Sequence, residues 1–203
     1  MRLNALGRAS MNNAVRAGLQ RHLMARWFER LGGRVPEGRG LEVGCGRGAA
    51  LGMLRERFGL RELVGLDLDP RMLASARHHA GGAMLVLADA TGLPLRDASF
   101  DAVFDFGAIH FVADWERALD EVRRVLRPGG RYYFEWVTGR FLRAFYPFAT
   151  RGFERMRVPR PDDLLTALER RGLPVGDRVV RPRWAAATTW LVGDVIGVGR
   201  VTA

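Results

Sequence analysis

Residues 40–50 read GLEVGCGRGAA: a short apolar strand that runs straight into three glycines at alternate positions, Gly44, Gly46 and Gly48. No other stretch constrains the fold as strongly. Glycine loses more backbone freedom on folding than any other residue. A cluster of it at a strand end therefore marks a tight turn, or a place where a ligand meets bare backbone. A strand, a glycine turn and a helix in that order open a doubly wound parallel sheet. The turn alone does not say which ligand it serves.

The rest of the chain repeats the unit. Leu41–Val43 reads as a first strand, followed by a helix over roughly 48–57. Residues 63–66 give a second strand. Asp69 then caps a helix that starts at Pro70 and runs to about His79, a common pairing of cap and first-turn proline. AMLVLA (83–88) is a third strand and FDAVFDF (100–106) a fourth. Asp114 caps a helix whose apolar face is Trp115, Ala118, Leu119, Val122, Val125 and Leu126. RPGG (127–130) ends that helix and turns the chain into a fifth strand, RYYFEWV (131–137). Strands alternating with helices imply a mostly parallel sheet covered on both faces. DDLLTALERRG (162–172) reads as a helix with an aspartate cap and a glycine stop. Residues 174–180 and 188–201 read as two closing strands, the last without a definable register.

Before the sheet, residues 14–31 have helical periodicity. Val15, Leu19, Leu23, Trp27 and Leu31 recur every fourth residue, with Met24 and Phe28 beside them. This predicts a helix packed on the core, or else a lid or membrane-surface helix. Residues 1–10 carry no such pattern, and Met11 is a second candidate start.

With 203 residues and 48% hydrophobic content, the chain suits one domain with a sizeable core. No apolar stretch approaches the roughly 18 residues of a membrane span. The first residues lack the apolar centre of a signal peptide. One cysteine, Cys45, excludes an internal disulfide framework and a cysteine-cluster metal site, and the histidines lack ligand spacing. The expectations are a cytoplasmic setting and no metal. All 32 basic residues are arginine and the net charge is +10. The excess lies at the ends. Residues 1–50 hold nine arginines against three acids, residues 51–150 hold equal numbers, and residues 151–203 hold ten against six. Such ends are a solubilising surface or a basic rim for an anionic substrate or lipid surface. No recognition-helix or RNA-module signature accompanies them, so nucleic acid is not expected.

Ligands of an open parallel sheet bind outside the carboxyl ends of its strands. That gathers the glycine turn, Asp67, the pair Asp89–Ala90, and Asp105–Phe106 into one crevice. The glycines let backbone N–H groups approach a ligand, Asp67 can accept two ribose hydroxyls, and Asp89 can accept from an adenine amino group. Glu42 repels phosphate, yet suits a ligand that carries an amino group and a positive centre.

Five segments together, LEVGCGRG (41–48), VGLDLDPRML (64–73), LADATGLPLRDASFDAVF (87–104), GAIHFVADWERAL (107–119) and EVRRVLRPGGRYYFE (121–135), resemble the class I S-adenosylmethionine-dependent methyltransferases. The resemblance is to the small-molecule branch and covers about 41–136 in the family's order and spacing. It implies a Rossmann-like α/β fold, one domain over residues 1–203, with seven strands in the order 3-2-1-4-5-7-6 and the seventh antiparallel. Within it, 1–35 form an N-terminal helical cap, 40–137 the cofactor core and 139–203 the substrate-side cap with the closing strands. It also implies S-adenosyl-L-methionine as cofactor and S-adenosyl-L-homocysteine as product.

Carried onto this chain, Glu42, Gly44 and Gly46 line the methionine part. Cys45 counts among the turn's contacting positions, with its side chain as small packing. Asp67 takes the ribose, Leu68 lies against the adenine, and Asp89 with Ala90 holds its edge. Phe106 offers backbone near the sulfonium, and Asp105 is a candidate for the cofactor's ammonium or for the substrate. Methyl transfer to an activated carbon needs mostly positioning, and a base only where the nucleophile arrives protonated. His110, just past strand four, and Glu135, at the end of strand five, are the candidate catalytic or substrate groups.

The acceptor's pocket would be roofed by the N-terminal helix and by residues 139–161, where arginines mix with Phe141, Phe145, Tyr146, Phe148 and Phe153. This predicts an amphipathic or anionic small-molecule acceptor, with peripheral membrane or lipid contact through the arginine-rich ends. Whether the chain is a monomer or a homodimer stays open. Two rivals stand beside this reading. A nicotinamide-dependent oxidoreductase fits GCGRGA but not Glu42 or Asp89, and a non-catalytic S-adenosylmethionine-binding regulator would share the cofactor half.

Overall fold

A computed structural model describes residues 23–136, 159–180 and 195–202. Amphipathic helix α1 (Ala25–Gly32) leads into β1 (Arg39–Val43), α2 (Leu51–Phe58), β2 (Glu62–Asp67), α3 (Pro70–Ala76), β3 (Met84–Leu87) and β4 (Phe100–Asp105). A 3-10 turn (Ile109–Phe111), α4 (Trp115–Val125), β5 (Leu126–Trp136), α5 (Pro161–Arg170), β6 (Val175–Val180) and β7 (Val195–Arg200) follow. The seven strands form one sheet in the order β3-β2-β1-β4-β5-β7-β6. β1 to β5 pair in parallel, and β7 runs antiparallel to both β5 and β6. This is the Rossmann-like fold the resemblance implies. The last strand, undefined in register from sequence, sets Tyr133 opposite Val198 and Glu135 opposite Ile196.

Successive strand residues leave the sheet on opposite faces, and two cores result. On one face Val103, Tyr132, Phe134 and Trp136 pack with Leu119, Val122 and Val125 of α4 and Leu164 and Leu168 of α5. On the other, Phe104, Phe106 and Tyr133 pack with Phe28 of α1 and Leu51, Leu54 and Phe58 of α2. The second core is an aromatic stack. Phe104 and Tyr133 lie nearly parallel at 4.8 Å, and Phe28 and Phe58 close on them at 5.7 and 5.4 Å from Tyr133.

The capping aspartates lie where the sequence puts them. Asp69 accepts from Arg71 N at 2.9 Å, and Asp114 accepts from Arg117 N at 3.2 Å. Three local expectations need correction. The face that α1 buries is Met24, Ala25 and Phe28, while Leu23 is 36% exposed. The stripe is therefore centred on Phe28, which fits the aromatic stack, with Trp27 and Leu31 partly buried against the same core and only Leu23 turned out. Gly32 then lets the helix approach the sheet: a Cβ there would lie 2.4 Å from the Tyr133 ring. The part of this helix before residue 23 lies outside the described residues.

The second correction concerns RPGG. It does not precede β5 but interrupts it. The register with β4 jumps from Phe100↔Leu126 to Ala102↔Arg131, and Gly129, at φ 75°, donates to Val201 O. Third, α5 begins at Pro161 with Arg160 at the cap. Asp163, three residues in, reaches back to Arg160 N at 3.1 Å. The arginine- and aromatic-rich stretch over 139–158 lies outside the described residues.

Candidate active site

The carboxyl ends of β1, β2, β3 and β4 converge on one edge of the sheet. The turn after β1 is shaped by glycine: Gly44, Gly46 and Gly48 sit at φ 71°, 54° and 74°. Gly44 has a second reason to be glycine. A Cβ there would meet the Ala108 Cβ at 2.3 Å, so the chain after β4 is packed against its bare Cα. The turn is pinned to β2 by Cys45 N donating to Leu66 O at 2.9 Å, and by Gly46 N donating to Asp67 Oδ2 at 2.8 Å. Cys45 is buried among Leu51, Leu54 and their neighbours. Burial, reinforced by the charges of Glu42 and Asp67, holds its thiol well above the usual range. Its side chain is packing; a nucleophile needs a lowered thiol pKa.

Three carboxylates lie beneath and beside this turn. Glu42 is buried, and among the described residues its Oε2 has no hydrogen-bond partner. Burial, with the charges of Asp67 and Asp105, pushes it up to about 8. A buried polar atom left unpaired is costly and calls for an explanation. Asp67 is half-buried and accepts from Gly46 N and from Asp69 N, both at 2.8 Å. Each of its oxygens thus has one lone pair engaged and one left for a ligand. Burial also raises its carboxyl, opposed by those N–H groups. Leu68, next along, is half-buried.

Asp105 is fully buried, and its oxygens are engaged within the protein. Ala108 N donates to it at 2.6 Å, Ile109 N at 3.4 Å, and Tyr132 Oη at 2.9 Å. Burial pushes this carboxyl to about 6 against the pull of those donors. The structure therefore makes Asp105 the brace of the turn that follows β4. That bracing role stands beside its reading as a candidate ligand, since among the described residues Oδ2 accepts only the Tyr132 hydroxyl. Tyr132 is the partner that the sequence did not disclose. Its position one strand over and on the same face was the available signal.

The remaining candidates separate. Asp89 is exposed, and its Oδ1 accepts from Thr91 N at 2.9 Å and Thr91 Oγ1 at 2.8 Å. The Thr91 N–H holds its carboxyl below the ordinary value. Ala90 is half-buried against the α4-side core. The Phe106 ring turns away to Phe28, 5.1 Å between centroids, so only its backbone is left to face the crevice. His110 and Glu135 are each 1% exposed. His110 lies in the 3-10 turn, 4.1 Å from the Phe111 ring and 5.7 Å from the Trp136 ring. Glu135 is the neighbour of Trp136 in β5 and leaves the sheet on the opposite face, that of Tyr133. The charge of Glu135 reaches Asp105, the brace of the turn that carries His110. Among the described residues, no cluster of three or more His, Cys, Asp or Glu side chains could hold a metal ion.

Comparison with known proteins gives this geometry a class. Residues 41–134 match a family model described as a methyltransferase domain. The demethylmenaquinone methyltransferase of Thermus thermophilus is 47% identical over 96 residues, which cover 45% of this chain and 43% of that protein. The fatty-acid O-methyltransferase of Mycolicibacterium smegmatis is 40% identical over 96 residues, covering 46% and 35%. Each match spans less than half of the relative's length. An S-adenosylmethionine-dependent methyltransferase structure from Mesorhizobium loti superimposes with a TM-score of 0.70 at 22% identity, over 89% of this chain and 99% of that one. Residues 41–134, just under half of this chain, thus match a methyltransferase domain, and the fold is shared with S-adenosylmethionine-dependent methyltransferase structures. The methyltransferase match implies S-adenosylmethionine as methyl donor and S-adenosylhomocysteine as product. The residues present fit that donor, because the unpartnered Glu42 oxygen under a glycine turn suits a ligand with an ammonium and a sulfonium, and disfavours a phosphate. Among the described residues, no helix is long and apolar enough to cross a membrane.

Proposed function

We propose that this chain transfers a methyl group from S-adenosylmethionine to a small-molecule acceptor by in-line displacement. The observation that carries the reading is the buried, unpartnered carboxylate of Glu42 beneath the glycine turn. When bound, the cofactor supplies a methyl group already activated by its sulfonium. The protein's part is to bind, orient and exclude water. Glu42, whose carboxyl burial keeps protonated up to about 8 in the ligand-free protein, gives up that proton to solvent and meets the ammonium end as a carboxylate, and the bare backbone of Gly44 and Gly46 admits the methionine part. Asp67 keeps one lone pair per oxygen for the ribose hydroxyls. Leu68 lies against the adenine, and Asp89 with Ala90 takes its edge. Asp105, braced by Tyr132, sets the turn that carries His110. His110 and Glu135 are the groups proposed to meet the acceptor, each able to orient it or take a proton where the nucleophile arrives protonated.

For the acceptor, the reading is an amphipathic or anionic molecule with a lipid-like body. The arginine excess at both ends favours it, as do relatives whose names specify demethylmenaquinone and fatty-acid acceptors. A clear preference for cationic acceptors in paired methyl-transfer assays would overturn the acceptor class. The donor is tested first. S-adenosylmethionine and S-adenosylhomocysteine should raise the melting temperature by linkage, and a nicotinamide dinucleotide should not. Asp67→Ala should abolish the shift. Silence toward both sulfur ligands defeats the proposal. A shift without turnover on any acceptor favours a binding module over an enzyme.

A further inference from the structure

The segment between β3 and β4, residues 88–99, carries Asp89 and Ala90 yet has no regular structure of its own. Its backbone groups must still be satisfied. One stripe of α4 does this. Arg117, Glu121 and Arg124 stand at intervals of four and three residues, which places them on one helical face. Arg117 Nε donates to Thr91 O at 2.9 Å. Glu121 Oε2 accepts from Leu93 N at 2.6 Å. Arg124 donates to Leu93 O at 3.0 Å, Leu95 O at 2.8 Å and Asp97 Oδ1 at 2.5 Å. It also grips both Glu121 oxygens, at 2.8 and 2.7 Å. A guanidinium has five N–H donors in a fixed fork, and Arg124 uses all of them. Below this clamp Leu93 is buried in the α4-side core, so the segment is held from above by hydrogen bonds and from within by packing.

We propose that Arg124 and Glu121 are positioning residues for the cofactor's adenine: from α4 they fix the segment that presents Asp89 and Ala90, without touching the cofactor. The proposal rests on the methyltransferase reading of the site. The chain's route supports it. Asp89 closes a turn through Thr91 N, and Gly92 N returns to Asp89 O at 3.1 Å. The clamp begins at Thr91 O and Leu93 N, so that turn is anchored one to three residues from its ends. On its other side Ala88 N is fixed to Asp67 O at 3.1 Å, the residue proposed for the ribose. Between those anchors Asp89 and Ala90 have little freedom of placement. Lysine cannot stand in for Arg124, because it brings three donors on a flexible stem.

The test measures affinity by calorimetry, well below every melting temperature, for S-adenosylhomocysteine and for adenosine alone. Arg124→Lys should weaken both ligands by the same factor, between about 10-fold and 100-fold, the scale of a slight misplacement. Glu121→Gln keeps an oxygen for Leu93 N but loses the charged grip on Arg124, and should weaken both ligands less. Glu121→Gln and Arg117→Ala carry the test if Arg124→Lys does not fold. A lowered melting temperature with unchanged affinity for both ligands overturns the proposal, since the clamp then only stabilises. Loss for S-adenosylhomocysteine with adenosine unaffected overturns it too, because the effect then lies at the other end of the cofactor. If the wild-type chain binds neither ligand, the methyltransferase reading itself falls, and the proposal with it.

Discussion

The turn after β1 and the segment after β3 flank the proposed cofactor site, and they are built in opposite ways. The first is made by absence. Three glycines remove side chains, so backbone supplies the surface, and the turn's bonds run to its immediate neighbour strand. The second is made by addition. Ordinary residues are held by three long side chains from a helix that comes some thirty residues later. A turn built from glycine tolerates no added atoms. A segment held by side chains tolerates changes in itself but not in its distant supports.

The largest expected effect lies in the turn. Gly44→Ala places a Cβ at 2.3 Å from Ala108 Cβ and forces an L-residue to φ 71°. Binding of S-adenosylhomocysteine should fall by more than about 100-fold in calorimetry. Wild-type affinity would break the claim that the turn depends on bare backbone.

Glu42→Gln should have an intermediate effect, read through pH. The folded carboxyl titrates at about 8 and the reference carboxyl at 4.5. Between those values the folded state holds a proton that the unfolded state has released. Stability of the ligand-free protein therefore falls as pH rises from 4.5 to 8 and is level above that. Asp105, raised to about 6, contributes a similar fall confined to the lower part of that window. Melting temperatures measured from pH 5 to 9 should decline less steeply in Glu42→Gln than in the wild type, with the difference building up between pH 5 and 8 and constant above. Parallel profiles would remove Glu42 as the unpartnered charge of the site.

The smallest effect is expected within the β3–β4 segment. Thr91→Ala deletes an exposed hydroxyl that donates to Asp89 while leaving the backbone donor in place. Stability to denaturant should change by no more than about 1 kcal/mol, with cofactor affinity within a few-fold of wild type. A loss equal to that of Gly44→Ala would erase the contrast between the two regions.

The same contrast explains what was legible in the sequence. Glycines advertise a turn because their chemistry is local, and Asp69 and Asp114 could be read as caps for the same reason. The alternation of strands and helices gave a parallel sheet covered on both faces, whereas the strand order rested on resemblance to a family. Arg124 gave no such signal. Its partners at 93, 95 and 97 are distant in sequence, and an arginine on a helix reads equally well as solvated surface. Asp105 was visible as a strand-end acid, but Tyr132, which occupies one of its oxygens, came from another strand. The face of α1 was misjudged at Leu23, since helical period fixes a stripe only to about a third of a turn and the aromatic stack chose Phe28.

The strand order also has a consequence in time. β6 pairs with β7, and β7 lies between β6 and β5. Gly32 of α1 sits within contact distance of Val198 of β7, and the Tyr133 hydroxyl donates to Gly33 O at 2.8 Å. A ribosome delivers residues 195–200 well after all of these partners. Until then β6 has no strand to join, and α1 lacks part of its seat. The cofactor edge, from β3 to β5, is complete well before that. The strands that flank the proposed donor site thus precede in synthesis the strand that completes the sheet's other flank.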